Sequence, residues 1–393
     1  MRKICRRMTK TAAALFLVFA LALPVKAGIL DYYLTPDGTD TASETSPDEL
    51  LGDFIDNLPD EVRKRLPASV TNDMTSEDAV SALSFKGIVS RILSSLSELL
   101  PKQLGTLSLV MCILILSALA RTAASSLGGT RTSRLVDMTV AISAALVLAG
   151  VGSRMMEAAE SFRELTCGIM NAVVPVLGAI YAASGNVTTA SVQSGGMLLL
   201  VTLCQNLFSL VFLPAVKICL SLGIVGAVFG ETELSRITGA VRSFVTWLIL
   251  SVMTLFSFIL GIQNTVAQSA DNFGIRSLKF ALGSLVPIIG GAVSDSLGTI
   301  GGSLGVLKSA CGGIAIVIII TIVAPGILFV LSQKMLLFIL KSAAGILGCG
   351  REEKLIGEIG LTASITLAFM IAMAFSFVYA LTLFTSSALA IAS

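Results

Sequence analysis

The sequence predicts an all-α protein. It reads as a polytopic membrane helical bundle with an internal duplication and Gly/Pro-broken or re-entrant helices, preceded by a signal peptide and a short acidic extracytoplasmic region. Three observations lead there. First, the 393-residue chain is 54% hydrophobic and 13% charged, with a mean hydropathy of +0.90. A water-soluble domain carries about 25% charged residues, so this chain cannot cover its surface with polar groups, and most of its solvent is lipid. Second, the apolar residues gather into successive long runs after residue 103. Third, a proline–glycine motif recurs within those runs.

The first 27 residues have the tripartite build of an export signal. Arg2, Lys3, Arg6, Arg7 and Lys10 precede an apolar core from Ala12 to Leu23, which Pro24 breaks. Val25-Lys26-Ala27 then places small residues where a signal peptidase reads, with cleavage expected after Ala27. As a helix the core spans roughly 18 Å, short of a hydrocarbon layer of about 30 Å. An uncleaved anchor is the alternative, and both readings put Gly28 outside the cytoplasm.

Residues 28–102 form the hydrophilic part. Thirteen of the 25 acidic residues fall between Asp31 and Asp78, opposed there only by Arg63, Lys64 and Arg65. Leu50, Leu51, Phe54, Ile55 and Leu58 recur at helical spacing, so the stretch 47–66 predicts a short amphipathic helix. Ile88, Ile92, Leu96 and Leu99 predict a second, over 85–100, lying on the outer membrane surface and stopped by Pro101. This segment is either a docking site for an extracytoplasmic partner or a solvated spacer.

The membrane part divides into a first repeat module (103–216), a second (217–333) and a partial third (334–393). Its predicted apolar stretches are 104–120, 135–152, 167–183, 197–216, 218–230, 243–262, 280–293, 314–331, 335–347 and 359–384, with a charged extracytoplasmic loop over 154–164. Several are shorter than the roughly 20 residues of a full span, which suggests tilted or half-spanning segments. With Gly28 outside, Arg121, Arg131, Arg134, Arg236, Arg242, Arg351 and Lys354 fall in cytoplasmic loops and Arg154, Arg163, Arg276 and Lys279 in outside ones, a slight positive-inside bias, so the signal sequence carries the orientation.

The repeat rests on Ala172-Val-Val-Pro175-Val-Leu-Gly178-Ala179, echoed by Ser284-Leu-Val-Pro287-Ile-Ile-Gly290-Gly291. Small and polar residues follow both, including Gly185 and Asp295. Upstream, Ser133-Arg134-Leu135 and Ser235-Arg236-Ile237 each open a long apolar run. A module of about 110 residues is thus duplicated. Proline frees a carbonyl and glycine permits turns, and in lipid such backbone survives only where protein or water covers it. Pro175, Gly178, Gly185, Pro287, Gly290 and Gly291 are therefore candidates either for lining a pathway or for close helix packing. Asp295 is a candidate because an ionisable group at membrane depth is functional by default, although a cytoplasmic loop would also hold it.

No catalytic, cofactor or metal site is expected. The chain has no histidine, which removes the commonest general base and metal ligand. Its seven cysteines form no CxxC pair, and most sit in apolar runs as small hydrophobes. There is no phosphate-binding loop and no basic aromatic patch for nucleic acid. The expectation is a protein that is not an enzyme and whose solvent is the lipid bilayer.

The order of parts, namely signal peptide, acidic segment, then a repetitive Gly/Pro-punctuated multispan domain, resembles the stage III sporulation protein AE family of endospore-forming Firmicutes. The likeness covers essentially the whole chain and is most characteristic at Asn171–Gly178, at the Ser133–Val140 opening and at Val286–Ser296. It implies a component of the channel-like, secretion-like complex linking mother cell and forespore, supplying its membrane platform or conduit. The location it implies is the mother-cell membrane around the forespore, with the segment after the signal facing the intermembrane space. Implied partners are other products of the stage III sporulation A operon, including a secretion-type ATPase and ring-forming bitopic proteins, and a forespore membrane partner. A small-solute permease, or a scaffold without a pore, is the alternative.

Overall fold

A computed structural model describes residues 85–126, 130–183, 186–229, 232–285, 319 and 322–386, most side chains from Pro101 onward included. The expected signal peptide with Ala27, the helix over 47–66, and the candidates Gly185, Pro287, Gly290, Gly291 and Asp295 lie outside the described residues. Every described element is helical. α1 is Phe85–Ser126, α2 Thr130–Ala183, α3 Val187–Phe229, α4 Thr232–Leu285, α5 Ile322–Ile346 and α6 Gly350–Ser386. All six are long and apolar enough to cross a membrane, so the chain is a multi-pass helical membrane protein.

The helices are fewer and longer than the apolar stretches suggested, and each fusion has a physical reason. α1 runs through Pro101 instead of stopping there, so 85–100 is no separate surface helix. Proline removes one donor and kinks or breaks a helix interior, but the bonds on either side remain available. The predicted loop 154–164 is helix within α2. Its charged residues recur at helical spacing while Met155, Ala159 and Phe162 turn inward on the opposite side. The stretches 197–216 and 218–230 join as α3 around a π turn, Phe208–Phe212. There the Leu213 N–H bonds to the Phe208 carbonyl, five residues back, immediately before Pro214. Because Pro214 has no N–H to give, the wider turn lets the helix pass it without a break. α5 fuses the C-terminal part of 314–331 with 335–347. The module boundaries at 216/217 and 333/334 consequently fall inside α3 and α5.

α2 and α4 are both 54 residues long, and Ser133-Arg134-Leu135 and Ser235-Arg236-Ile237 occupy the same place in the first turns of each. The Pro287 half of the proposed repeat lies outside the described residues.

α6 is the central helix, with half of its most apolar window buried, against 28% for α1 and α4. α2 and α4 pack on opposite flanks of the α3–α6 pair. One core cluster joins α2, α3, α4, α5 and α6 around Phe208, Phe212, Phe369 and Phe377. A second joins α1, the first half of α2, the end of α3, the end of α5 and the start of α6 around Leu114, Leu148, Leu340 and Ile356. Within the first, Phe212 stacks on Phe369 with ring centroids 4.6 Å apart, close enough for an aromatic pair to add to area burial.

α5 and α6 form a tight hairpin. Gly348 has φ of 70°, a left-handed conformation that glycine adopts without strain. Its N–H bonds to Gly345 O, and the Cys349 N–H bonds to Ala344 O at 2.9 Å. That pair of bonds is a Schellman cap, which satisfies the last carbonyls of α5 and reverses the chain. Cys349 O then accepts from Glu353 N–H to start α6.

Candidate functional site

Three groupings of polar residues stand out in this apolar bundle. The first fastens the start of α6 at two points. Glu352, fully buried, accepts hydrogen bonds from Ser117 Oγ (2.8 Å) and from Arg121 Nη2 (2.8 and 2.5 Å) on α1. Arg121 Nη1 also donates to the Gly348 carbonyl of the hairpin turn. Six residues on, Glu358 accepts from Arg242 Nη2 (2.7 Å) and Ser235 Oγ (2.9 Å) of α4. Gly223 of α3 makes room for it: a Cβ there would lie 3.1 Å from Glu358 Cβ. α1, α3 and α4 are thereby tied to one end of α6 by two charge-assisted pairs. Such pairs are strong in a low-dielectric setting once their remaining lone pairs are bonded.

The second end carries a polar seam between α3 and α4. The buried residues of α4 recur every three or four positions: Thr238, Arg242, Val245, Ile249, Met253, Ser257, Leu260, Asn264, Ala267 and Asp271. This is the narrow stripe of a coiled-coil seam, with a polar residue at half of its positions. At its end, the Asp271 carboxylate accepts the Thr188 N–H (3.1 Å) and the Thr189 N–H (2.7 Å). Asn186, at the N-cap of α3, makes no side-chain cap bond, so the carboxylate from α4 satisfies those first-turn donors and meets the positive end of the helix dipole. Nearby, Tyr181, just past the apolar stretch of α2, donates to the Phe384 carbonyl and packs on its ring at 4.2 Å.

The third grouping is on the outside of α2. Arg154, Glu157, Glu160 and Glu164 are exposed midway along the helix, and the neighbouring Arg163 lies with its guanidinium 5.0 Å over the Phe208 ring while bonding to Glu164. From Gly150 to the end of α2, the exposed residues among the described side chains include Ser153, Asn171, Pro175, Ala179 and Ala182 and no large hydrophobic one. α3 is mixed: it exposes Thr188, Ser191, Gly195, Thr202, Asn206 and Ser209, and also Val187, Leu198, Leu199, Leu210 and Ile218. α4, on the opposite flank, exposes Phe244, Trp247, Leu255, Phe258, Ile262, Val266 and Phe273. Lipid solvates the second set readily. It solvates the first poorly, at a cost of about 2.5–3.5 kcal/mol for each charged side chain at bilayer depth.

Of the sequence candidates, Gly178 has a defined packing role: a Cβ on it would sit 2.5 Å from Ser194 Oγ of α3, so it permits close helix approach. Pro175 is exposed, away from the bundle interior, on the polar side of α2. Buried Cys167, Cys204, Cys219 and Cys349 and exposed Cys112 are all free thiols. Sequence reasoning missed Glu352, Glu358 and Asp271. The available signal was an ionisable residue at a seam position of an otherwise apolar helix, such as Asp271 seven residues after Asn264 and fourteen after Ser257.

The family profile described as stage III sporulation protein AE matches residues 68–392. A curated relative from Bacillus subtilis (strain 168), named stage III sporulation protein AE, is 27% identical over 190 residues. The matched region covers 48% of this chain and 47% of that protein, so the chain spans about half the length of the curated relative it matches. No solved structure matches the chain. With the profile covering most of the sequence, including all six described helices, this multi-pass membrane protein belongs to the stage III sporulation protein AE family.

Proposed function

We propose that the chain is the membrane platform or conduit of the channel-like, secretion-like complex that joins mother cell and forespore, working with an ATPase and ring-forming proteins supplied by others. In this reading it sits in the mother-cell membrane that surrounds the forespore, and its acidic segment faces the intermembrane space. The observation that supports it best is the distribution of basic residues between the two ends of the bundle. The ends of α1, α3 and α5 meet the starts of α2, α4 and α6 through the Arg121–Glu352 and Arg242–Glu358 contacts. That end carries Arg121, Arg131, Arg134, Arg236, Arg242, Arg351 and Lys354, whereas the described part of the other end has Lys86, Arg91, Lys102, Arg276 and Lys279. Folding 154–164 into α2 removes Arg154 and Arg163 from the extracytoplasmic loops, which strengthens the positive-inside bias. In this reading the more basic end is cytoplasmic, α1 enters from outside, and the acidic segment before it is extracytoplasmic.

The test is a single-cysteine map in sporulating cells. Gly239→Cys should react only after the mother-cell membrane is permeabilised, and Val187→Cys should react from the intermembrane side. The reverse pattern overturns the orientation. Deleting residues 31–80 should abolish co-purification with the ring-forming partners if that segment docks them. Undiminished recovery would remove the docking role.

A further inference from the structure

We infer that the outward α2–α3 face lines a water-filled, cation-favouring path, and that several copies of this chain enclose it with their α4 faces turned to lipid. The inference rests on the membrane-conduit reading above and assigns the residues that would form the wall.

α2 is about 80 Å long at 1.5 Å per residue, far more than the roughly 30 Å of a hydrocarbon layer. Its charged belt lies at mid-length, with apolar helix on both sides. Centring the bundle in the bilayer puts Glu157, Glu160 and Glu164 at hydrocarbon depth. Shifting it so that the belt reaches the interface leaves an apolar half outside, including exposed Leu135, Ile142 and Leu146 or the α4 aromatic residues. Either placement requires something other than lipid around the chain.

The composition of the two flanks says what that is. On an ideal helix, Glu160, Glu164 and Asn171 fall within about 40° of one another and of Gly178, which faces α3. On α3, Ser191, Gly195, Leu198, Thr202 and Ser209 cluster within about 60°, beside Ser194, which faces α2. The two stripes therefore border one groove, lined by carboxylates, an amide, hydroxyls and backbone, with Leu198 as an apolar member. Copies inserted with the same topology present the same residues at the same height. Direct α2–α2 contact would set glutamate against glutamate, whereas a lumen keeps the carboxylates apart and hydrated. Rings of acidic side chains favour cations, and here the exposed belt carries three glutamates against Arg154, with Arg163 engaged by Phe208 and Glu164.

The experiment is done on the full chain in native membranes, with the seven native cysteines replaced. Single cysteines at Glu160, Asn171 and Thr202 are compared with others at Leu255, Phe258 and Val266, using cationic and anionic methanethiosulfonate reagents. The first set should label and the second should not. At Asn171 the cationic reagent should react at least about tenfold faster than the anionic one, and Glu157→Gln with Glu160→Gln and Glu164→Gln should bring that ratio close to one. Two differently tagged copies should also co-purify. Unlabelled α2–α3 positions, equal labelling of both flanks, a ratio that ignores the glutamines, or strictly single-copy purification would each overturn the inference. A wrong orientation of the platform would show separately, in reversed labelling of Gly239→Cys and Val187→Cys.

Discussion

Removing the Glu352 carboxylate should loosen the whole end of the bundle where α6 begins. Glu352 is fully buried, and Arg121 has only 19% of its side-chain surface exposed, so water does little to screen the pair. Glu352→Ala takes away the acceptor for three hydrogen bonds, from Ser117 Oγ and Arg121 Nη2. What remains is a guanidinium without its carboxylate, still donating to the Gly348 carbonyl at 3.3 Å, next to a cavity. Breaking a buried pair by deleting one partner costs about 3–5 kcal/mol. Glu352→Gln preserves shape and one acceptor but loses the charge, so about 1.5–3 kcal/mol is expected. Replacing both partners, Arg121→Met with Glu352→Leu, removes the stranded charge and should return to within about 1 kcal/mol of the parent. The assay is reversible unfolding in mixed detergent–dodecyl sulfate micelles, with the four proteins closing a double-mutant cycle. Single substitutions that each shift stability by less than about 0.5 kcal/mol, or that simply add, would show that the pair does not hold α6 in place.

Three other outcomes follow from the same geometry. Gly178→Ala should destabilise by about 1–3 kcal/mol through overpacking on Ser194, and Ser194→Ala should relieve it, because Ser194 Cβ is 3.6 Å from the added methyl; no relief by the second change would mean α2 and α3 are not in contact there. Asp271→Ala should cost about 1–2 kcal/mol by uncapping α3, with Asp271→Asn in between, read as faster hydrogen exchange in the peptide that starts at Asn186; unchanged exchange would refute the cap. Gly223→Ala should press on Glu358 Cβ and reduce the Arg242–Glu358 coupling energy in a double-mutant cycle, and an undiminished coupling would show that α3 does not support that pair.

The composition made the membrane bundle legible, and apolar periodicity located each described helix. What the sequence obscured was where one helix ends and the next begins. Charged residues at 154–164 read as a loop because hydropathy averages over all faces, whereas the helix keeps its inward stripe, Met155, Ala159 and Phe162, unbroken through them. Pro101 read as a stop because the local donor is missing, yet α1 continues through it, as α3 does through Pro214. The ion pairs could not be read locally. Arg121 and Glu352 are 231 positions apart, and each resembles an ordinary interfacial charge until the fold brings them together. Gly178 stood out in the sequence by its place after Pro175, and its closeness to Ser194 needed the antiparallel α2–α3 register to become visible.

The wide turn at Phe208–Phe212 makes α3 intolerant of changes in length. One residue more than an ordinary helical turn is accommodated there, so the two halves of α3 are indexed to different neighbours: Cys204 and Phe208 to α2 and the aromatic cluster, Cys219 and Gly223 to Thr238 and Glu358. Excising exposed Ile218, in the regular helix beyond that turn, would swing everything after it by about 100°, carrying Gly223 off Glu358 although no contact residue had changed. In this helix the spacing between residues is itself under constraint, and a deletion of one would do more harm than most substitutions.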